Sequence, residues 1–250
     1  MPGLRESFDR ERPDFPPGTP FWIDPSFARL AACHPRLQEV ARHLDTRAVD
    51  AKGAAGLAAE APSSYGDHRY EALFRALISV LRPRRCVELG VLHGFSLLTI
   101  ARTLQESGLG RVDGYDLFEQ YPYTNASYAS VTERLKRTGL SARAAVHRAE
   151  AREVASWTDE VDFLHVDLSN DGEVYRWVFS QWSEKVTQII LLEGGSVARD
   201  RVDWMRRYGK SSIAAAIEEI RASRPEWTIA VLDPYPSITV AFRQVGLAAT

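Results

Sequence analysis

Arg85-Cys86-Val87-Glu88-Leu89-Gly90-Val91-Leu92-His93-Gly94-Phe95-Ser96 is the stretch that decides the fold. A short run with Val and Leu, Arg85 to Leu89, reads as a strand. It breaks at Gly90, and an apolar helical pattern takes over from about Phe95 to Glu106, ended near Gly108 and Gly110. The next strand follows at Arg111 to Leu117, which completes one βαβ unit. Gly90 and Gly94 let backbone pass close to a ligand, and the helix start beyond offers N–H groups to a carboxylate or phosphate. A tight turn carrying no ligand is the alternative reading. A dinucleotide fingerprint would place glycines where Leu92 and Phe95 stand, so a nicotinamide cofactor is disfavoured.

The alternation extends on both sides. Upstream, Tyr70, Leu73, Phe74, Leu77, Ile78 and Leu81 make one apolar helical face, with Asp67 as its expected N-cap and Pro83 as its stop. Downstream the pattern predicts a polar helix from about Asn125 to Thr138 and a short strand near Ala142 to His147. Val161 to Asp167 and Gln188 to Glu193 have the near-continuous apolar character of buried parallel strands, with a helix over Glu173 to Trp182 between them. After a helix around Ile213 to Ser223 come Trp227 to Leu232 and Ile238 to Phe242, joined by Asp233-Pro234-Tyr235-Pro236-Ser237. So short a connection makes that pair antiparallel.

Residues 1–25 carry six prolines among charges and read as an extended arm, which Phe15, Phe21 and Trp22 are able to anchor. Leu37, Val40, Ala41 and Leu44 share one face of a helix over Pro35 to Leu44, and Ala51 to Pro62 reads as a linker. Residues 1–64 are therefore an appendage and 65–250 the main domain. The helical stripe suits either association between copies or packing on the chain's own core.

At 250 residues, 45% apolar and 26% charged, the chain has enough apolar material for a substantial core. A net charge of −2 gives no general attraction for nucleic acid or an anionic membrane, and the 27 arginines against 4 lysines are scattered among acids. No apolar run approaches the roughly 20 residues of a membrane span. Cys33 and Cys86 form no CxxC pair, which points to neither zinc nor a disulfide framework and suits a reducing cytoplasm.

Two groups of residues carry candidate chemistry. Asp116 stands near the end of the second strand, 26 residues after Gly90, where a carboxylate is able to accept the hydroxyls of a ribose. In His165-Val166-Asp167, period-2 geometry puts His165 and Asp167 on one side of a strand whose C-terminal end lies where open parallel sheets bind ligands. His165 has an ordinary pKa of about 6.5, suited to a general base; a buried histidine with purely structural bonds is the alternative. Phe118, Tyr121, Tyr123, Tyr175, Trp177, Trp204, Tyr208 and Tyr235 wall an acceptor pocket or simply pack.

Glu88-x-Gly90-x-x-x-Gly94, Asp116, His165-Val166-Asp167 and the closing hairpin resemble the class I S-adenosylmethionine-dependent methyltransferases, in particular small-molecule O-methyltransferases of the macrocin type, over residues 65–250. The resemblance implies a Rossmann-like seven-stranded sheet of order 3-2-1-4-5-7-6 with only strand 7 antiparallel. It implies a cofactor methionine moiety over the glycine loop, Asp116 on the ribose and Glu150 near the adenine. Glu88, Gly90, Gly94, Ser96, Asp116, Glu150 and Asp167 become the expected cofactor site, and His165 and Asp167 the expected catalytic pair. Tyr65-Gly66-Asp67-His68-Arg69 either folds over the cofactor or caps a helix.

Relatives that hold a divalent metal at the ends of strands 4 and 5 imply Mg2+ on Asp167 and Glu193, with Asn170 or Asp171 as a further oxygen ligand, although Glu193-Gly194-Gly195 departs from their usual Asp-Asp or Asp-Asn. The expected function is methyl transfer to a small molecule, with a homo-oligomer through the N-terminal arm as an option. Rival readings are a catalytically silent scaffold of the same fold and an NAD or nucleotide-sugar enzyme on a related sheet.

Overall fold

The computed structural model describes residues 20–23, 27–28, 31–32, 35–46, 61–122, 124–232 and 236–244. Most of the proline-rich arm with Phe15, residues 51–60 of the expected linker, Tyr123 and residues 233–235 of the final turn lie outside the described residues, as does the side chain of Trp204.

Seven strands form one sheet: β1 (Arg85–Leu89), β2 (Arg111–Asp116), β3 (Ala144–Arg148), β4 (Val161–Val166), β5 (Val186–Glu193), β6 (Trp227–Leu232) and β7 (Ile238–Arg243). Their order is 3-2-1-4-5-7-6. All pairings are parallel except those of β7 with β5 and β6. The expected Rossmann-like architecture is the observed one.

The helices are α1 (Pro35–Thr46), α2 (Tyr70–Leu81), α3 (Phe95–Ser107), α4 (Tyr128–Arg137), α5 (Ala151–Trp157), α6 (Gly172–Trp182), α7 (Val197–Asp200), α8 (Asp203–Arg207) and α9 (Ile213–Ser223). They cover both sheet faces, which is why the central strands are apolar throughout rather than alternating. One core joins α1, α2, α3 and α4 to Cys86, Phe163 and Ile189; the other joins α5, α6 and α9 to Val87, Leu164 and Ile190. Parity along each strand thus assigns every residue to a face. Glu88 and His165 are direct neighbours in the β1–β4 register and share the α2 face with Cys86 and Phe163.

Three local expectations are corrected. Asp67 does not cap α2: residues Ser64–His68 form a separate 3-10 turn capped by the Ser63 hydroxyl, and α2 starts only after Arg69, whose φ of 61° breaks the helical path. The polar helix begins at Tyr128 rather than near Asn125, because the Ser127 hydroxyl accepts from Ser130 N–H and fixes the start. Helix α5 stands where no helix was expected.

The stripe of α1 has its partner within the chain. Leu37, Val40 and Leu44 are buried in the α2 core, with Ala41 packed against it. Phe21 is buried too, stacked on Tyr70 at 4.9 Å. These apolar groups are therefore not available for association with a second copy.

Candidate functional site

The C-terminal ends of β1, β2, β4 and β5 converge on the glycine loop. Gly90 and Gly94 have φ values of 86° and 83°, a region that side chains with a Cβ enter at a cost. At Gly90 the reason for glycine is also contact: a Cβ there would stand 1.9 Å from the carbonyl oxygen of Asp167. Leu89 carbonyl accepts from Asp167 N–H at 2.8 Å, so the tips of β1 and β4 are tied at the same place. Gly94 is the N-cap of α3 and brings no side chain to its first-turn N–H groups.

Asp116 holds the loop. Its Oδ2 accepts from the N–H groups of Val91 (2.7 Å) and Leu92 (2.9 Å), and its Oδ1 from Phe118 N–H (2.7 Å). A carboxylate has about four lone-pair positions, so roughly one remains for a ligand. Arg134 adds a bond to the His93 carbonyl at 2.6 Å. Glu150 is the N-cap of α5, its Oε2 accepting from Arg152 N–H at 2.7 Å, just beyond the end of β3.

Beneath the loop runs a chain of polar side chains. Glu88 and His165 are both fully buried, and Glu88 Oε1 lies 2.9 Å from His165 Nδ1. The Ser96 hydroxyl donates to the same Oε1, and Oε2 has no protein partner. On its other side, His165 Nε2 lies 3.3 Å from the Tyr65 hydroxyl, and Phe74 packs edge-on at 5.0 Å between ring centroids. Glu88 and Ser96, expected at the cofactor, therefore sit below the loop with His165.

Asp167 is only half-buried and reaches the crevice, within hydrogen-bonding distance of both Tyr65 and Glu193. Burial, and then the neighbouring Glu193 carboxylate, raises its pKa well above the usual aspartate range. The Tyr65 hydroxyl is likewise pushed up, by burial first and by Asp167 and Glu193 after it. Asn170 Nδ2 donates to Glu193 Oε2 at 3.1 Å, and Tyr175 donates to the Glu193 carbonyl at 2.9 Å.

The structure brings together Glu88, Ser96, His165, Asp167 and Glu193, with Gly90, Gly94 and Asp116 forming the loop above them. Tyr65 is the member that sequence reasoning did not assign; only its place in the turn before α2 drew notice. The Mg2+ expectation finds no support. Among the described residues no three His, Cys, Asp or Glu side chains gather to hold an ion. No helix among those residues is long and apolar enough to cross a membrane.

The arrangement fits the cofactor that the sequence implies. An uncapped helix start suits a carboxylate, the glycines admit close approach, and the residual acceptor capacity of Asp116 suits a sugar hydroxyl.

The fold has counterparts among known proteins. Residues 87–192 match a family model described as a methyltransferase domain. No curated protein matches the chain significantly. Among solved structures, the O-methyltransferase TomG from Streptomyces achromogenes, in complex with S-adenosylmethionine, aligns at TM-score 0.56 and 17% identity over 77% of this chain and 88% of that one. Cofactor-bound Rv0187 from MTB aligns at 0.56 and 18%, covering 81% and 95% of the two chains. The O-methyltransferase from Bacillus cereus, in complex with S-adenosylhomocysteine, aligns at 0.53 and 17%, covering 84% and 91%. Residues 87–192 are thus similar to a methyltransferase domain, and the seven-stranded fold is that of the solved O-methyltransferases named above.

Proposed function

We propose that the chain transfers the methyl group of S-adenosylmethionine to a hydroxyl of a small molecule, with Asp167 taking the hydroxyl's proton. The observation that carries this reading is the pairing of two features at one crevice: a glycine loop pinned open by Asp116, and a half-buried carboxyl group whose proton affinity is raised. The names of the similar O-methyltransferases point to oxygen as the acceptor atom.

The cofactor, when bound, supplies an electrophilic methyl group. What this chain must do is seat it, align an acceptor oxygen in line with it, and remove a proton as the oxygen gains its methyl group. In this reading Gly90 and Gly94 receive the methionine part, Asp116 the ribose, and Glu150, just beyond β3, the base. Asp167 is a stronger base than an exposed aspartate because water solvates its charge poorly. His165 is fully buried, with Nε2 facing the Tyr65 hydroxyl, so it does not meet the acceptor itself.

Leu92, Tyr121, Leu168 and Val197 are large apolar side chains that stay exposed, and they follow β1, β2, β4 and β5 respectively. Connections after parallel strands lie on the binding edge of the sheet. An apolar or aromatic acceptor suits such a rim.

Isothermal titration with S-adenosylmethionine, followed by a screen of phenolic and alcoholic acceptors with and without magnesium, tests the reading. Cofactor binding and a methyl ether product, unchanged by chelator, are expected. A chain that binds neither S-adenosylmethionine nor its demethylated product would refute it.

A further inference from the structure

Residues 170–172, just past the tip of β4, carry three successive ties to the connection between β5 and α9, residues 194–212. Asn170 Nδ2 donates to Glu193 Oε2 at 3.1 Å, where that connection begins. Where it ends, Asp171 Oδ1 accepts from the Ser211 N–H at 3.1 Å and from the Ser211 hydroxyl at 2.9 Å, and Lys210 Nζ stands 3.2 Å from Oδ2. Gly172 N–H donates to the Ser211 carbonyl at 3.0 Å. Both ends of the connection thus stand on the same three residues. The packing is as close as the bonding: a Cβ on Gly172 would lie 2.3 Å from the Ser212 carbonyl oxygen, and one on Gly194 would lie 2.3 Å from Asn170 Oδ1.

Between these feet the connection is braced. Asp200 accepts from the Ser212 hydroxyl and the Ile213 N–H, and Val202 and Met205 are buried in the core shared with α6 and α9. A loop whose ends meet and whose own side chains pack is a built part of the surface. It leaves the sheet at the C-terminal edge, where open parallel sheets bind ligands. Leu168 stays exposed just before the clasp on the β4 side, and Tyr208 stays exposed just before Lys210 on the β5 side. The clasp sets the separation of the two segments that carry them.

We propose that Asp171 is a positioning residue whose hold on Ser211 sets the width of the acceptor mouth, and that the loop it closes, residues 194–212, selects acceptors by size. The inference rests on the methyltransferase reading above. Asp171 need not touch the acceptor, since its oxygens are engaged by the loop and by the start of α6, where Oδ1 also accepts from Glu173 N–H at 3.1 Å.

Two variants open the clasp from opposite sides. Asp171→Ser keeps an N-cap for α6 but is too short to reach Ser211 as well. Gly172→Ala leaves Asp171 in place and suits a helix, but drives a methyl group into the Ser212 carbonyl. In the full-length chain loaded with S-adenosylhomocysteine, with chelator present, isothermal titration with catechol and with 2,3-dihydroxynaphthalene compares one diol with the same diol widened by a ring. Each variant should shift the ratio of the two Kd values by more than about threefold toward the larger diol, while cofactor affinity stays within about threefold. Partial unfolding lowers the active fraction for both diols alike and leaves their ratio unmoved. Asp171→Asn retains an oxygen for Ser211 and should keep the parent ratio.

A smaller shift, or one toward the smaller diol, in either variant that folds overturns the proposal. So does a ratio displaced as far in Asp171→Asn as in Asp171→Ser, or a loaded parent that binds neither diol. If one variant does not fold, the other decides. A parent that binds neither S-adenosylmethionine nor its demethylated product defeats the functional reading and the clasp with it. A parent that binds cofactor and both diols, with variants that keep its ratio, defeats the clasp alone.

Discussion

Gly90 shows how much one residue fixes. Its positive φ and the 1.9 Å approach of a notional Cβ to the Asp167 carbonyl act together, and neither neighbour is a side chain free to swing away. Gly90→Ala should therefore destabilise the fold by about 3 kcal/mol, read as a lower urea midpoint, and should abolish cofactor binding in the fraction that folds. Asp167 predicts the opposite sign. Its folded-state pKa is raised, so its ionisation opposes folding as pH climbs from the ordinary aspartate value, about 4, through the raised one. Asp167→Asn should raise the melting temperature at neutral and alkaline pH, with the advantage vanishing in acid, while methyl transfer is lost. Equal melting curves for variant and parent across that range would show that the carboxyl group is not strained by burial.

At the scale of elements, the caps set the boundaries. Asp200, in the short α7, accepts from the N–H groups of Ile213 and Ala214 at 2.8 and 2.9 Å and from the Ser212 hydroxyl at 2.7 Å, so it anchors the start of α9 from a distance. Asp200→Ala should cost about 1–2 kcal/mol in denaturant titration. This anchor was not legible beforehand, because a cap supplied from thirteen residues upstream has no local signature. The strands were legible: Val161–Val166 and Val186–Glu193 are apolar runs bounded by turns, and the antiparallel hairpin follows from its short connection. The glycine loop was legible too, as was the shared face of His165 and Asp167. Tyr65 was not, since nothing near it in the chain says that a turn before α2 will fold down onto the end of β4. Nor did the position of Asp116 reveal that its carboxylate would be engaged mainly by loop N–H groups.

For the whole molecule, the decisive feature is that α1 contributes Leu37, Val40 and Leu44 to the same core as α2 and the sheet. An appendage that shares a core should not melt by itself. Calorimetry should show one transition for α1 and the sheet together, and Val40→Asp should lower that single transition rather than create a second. A separate early transition would mark the N-terminal helix as independent.

The joint between Gly90 and Asp167 has a mechanical consequence. Gly90 is seated against the Asp167 carbonyl and Leu89 is bonded to the Asp167 N–H, so the turn after β1 and the tip of β4 shift as one body. On the function proposed above, a change that opens the loop for a bulkier donor would therefore carry the proposed base with it.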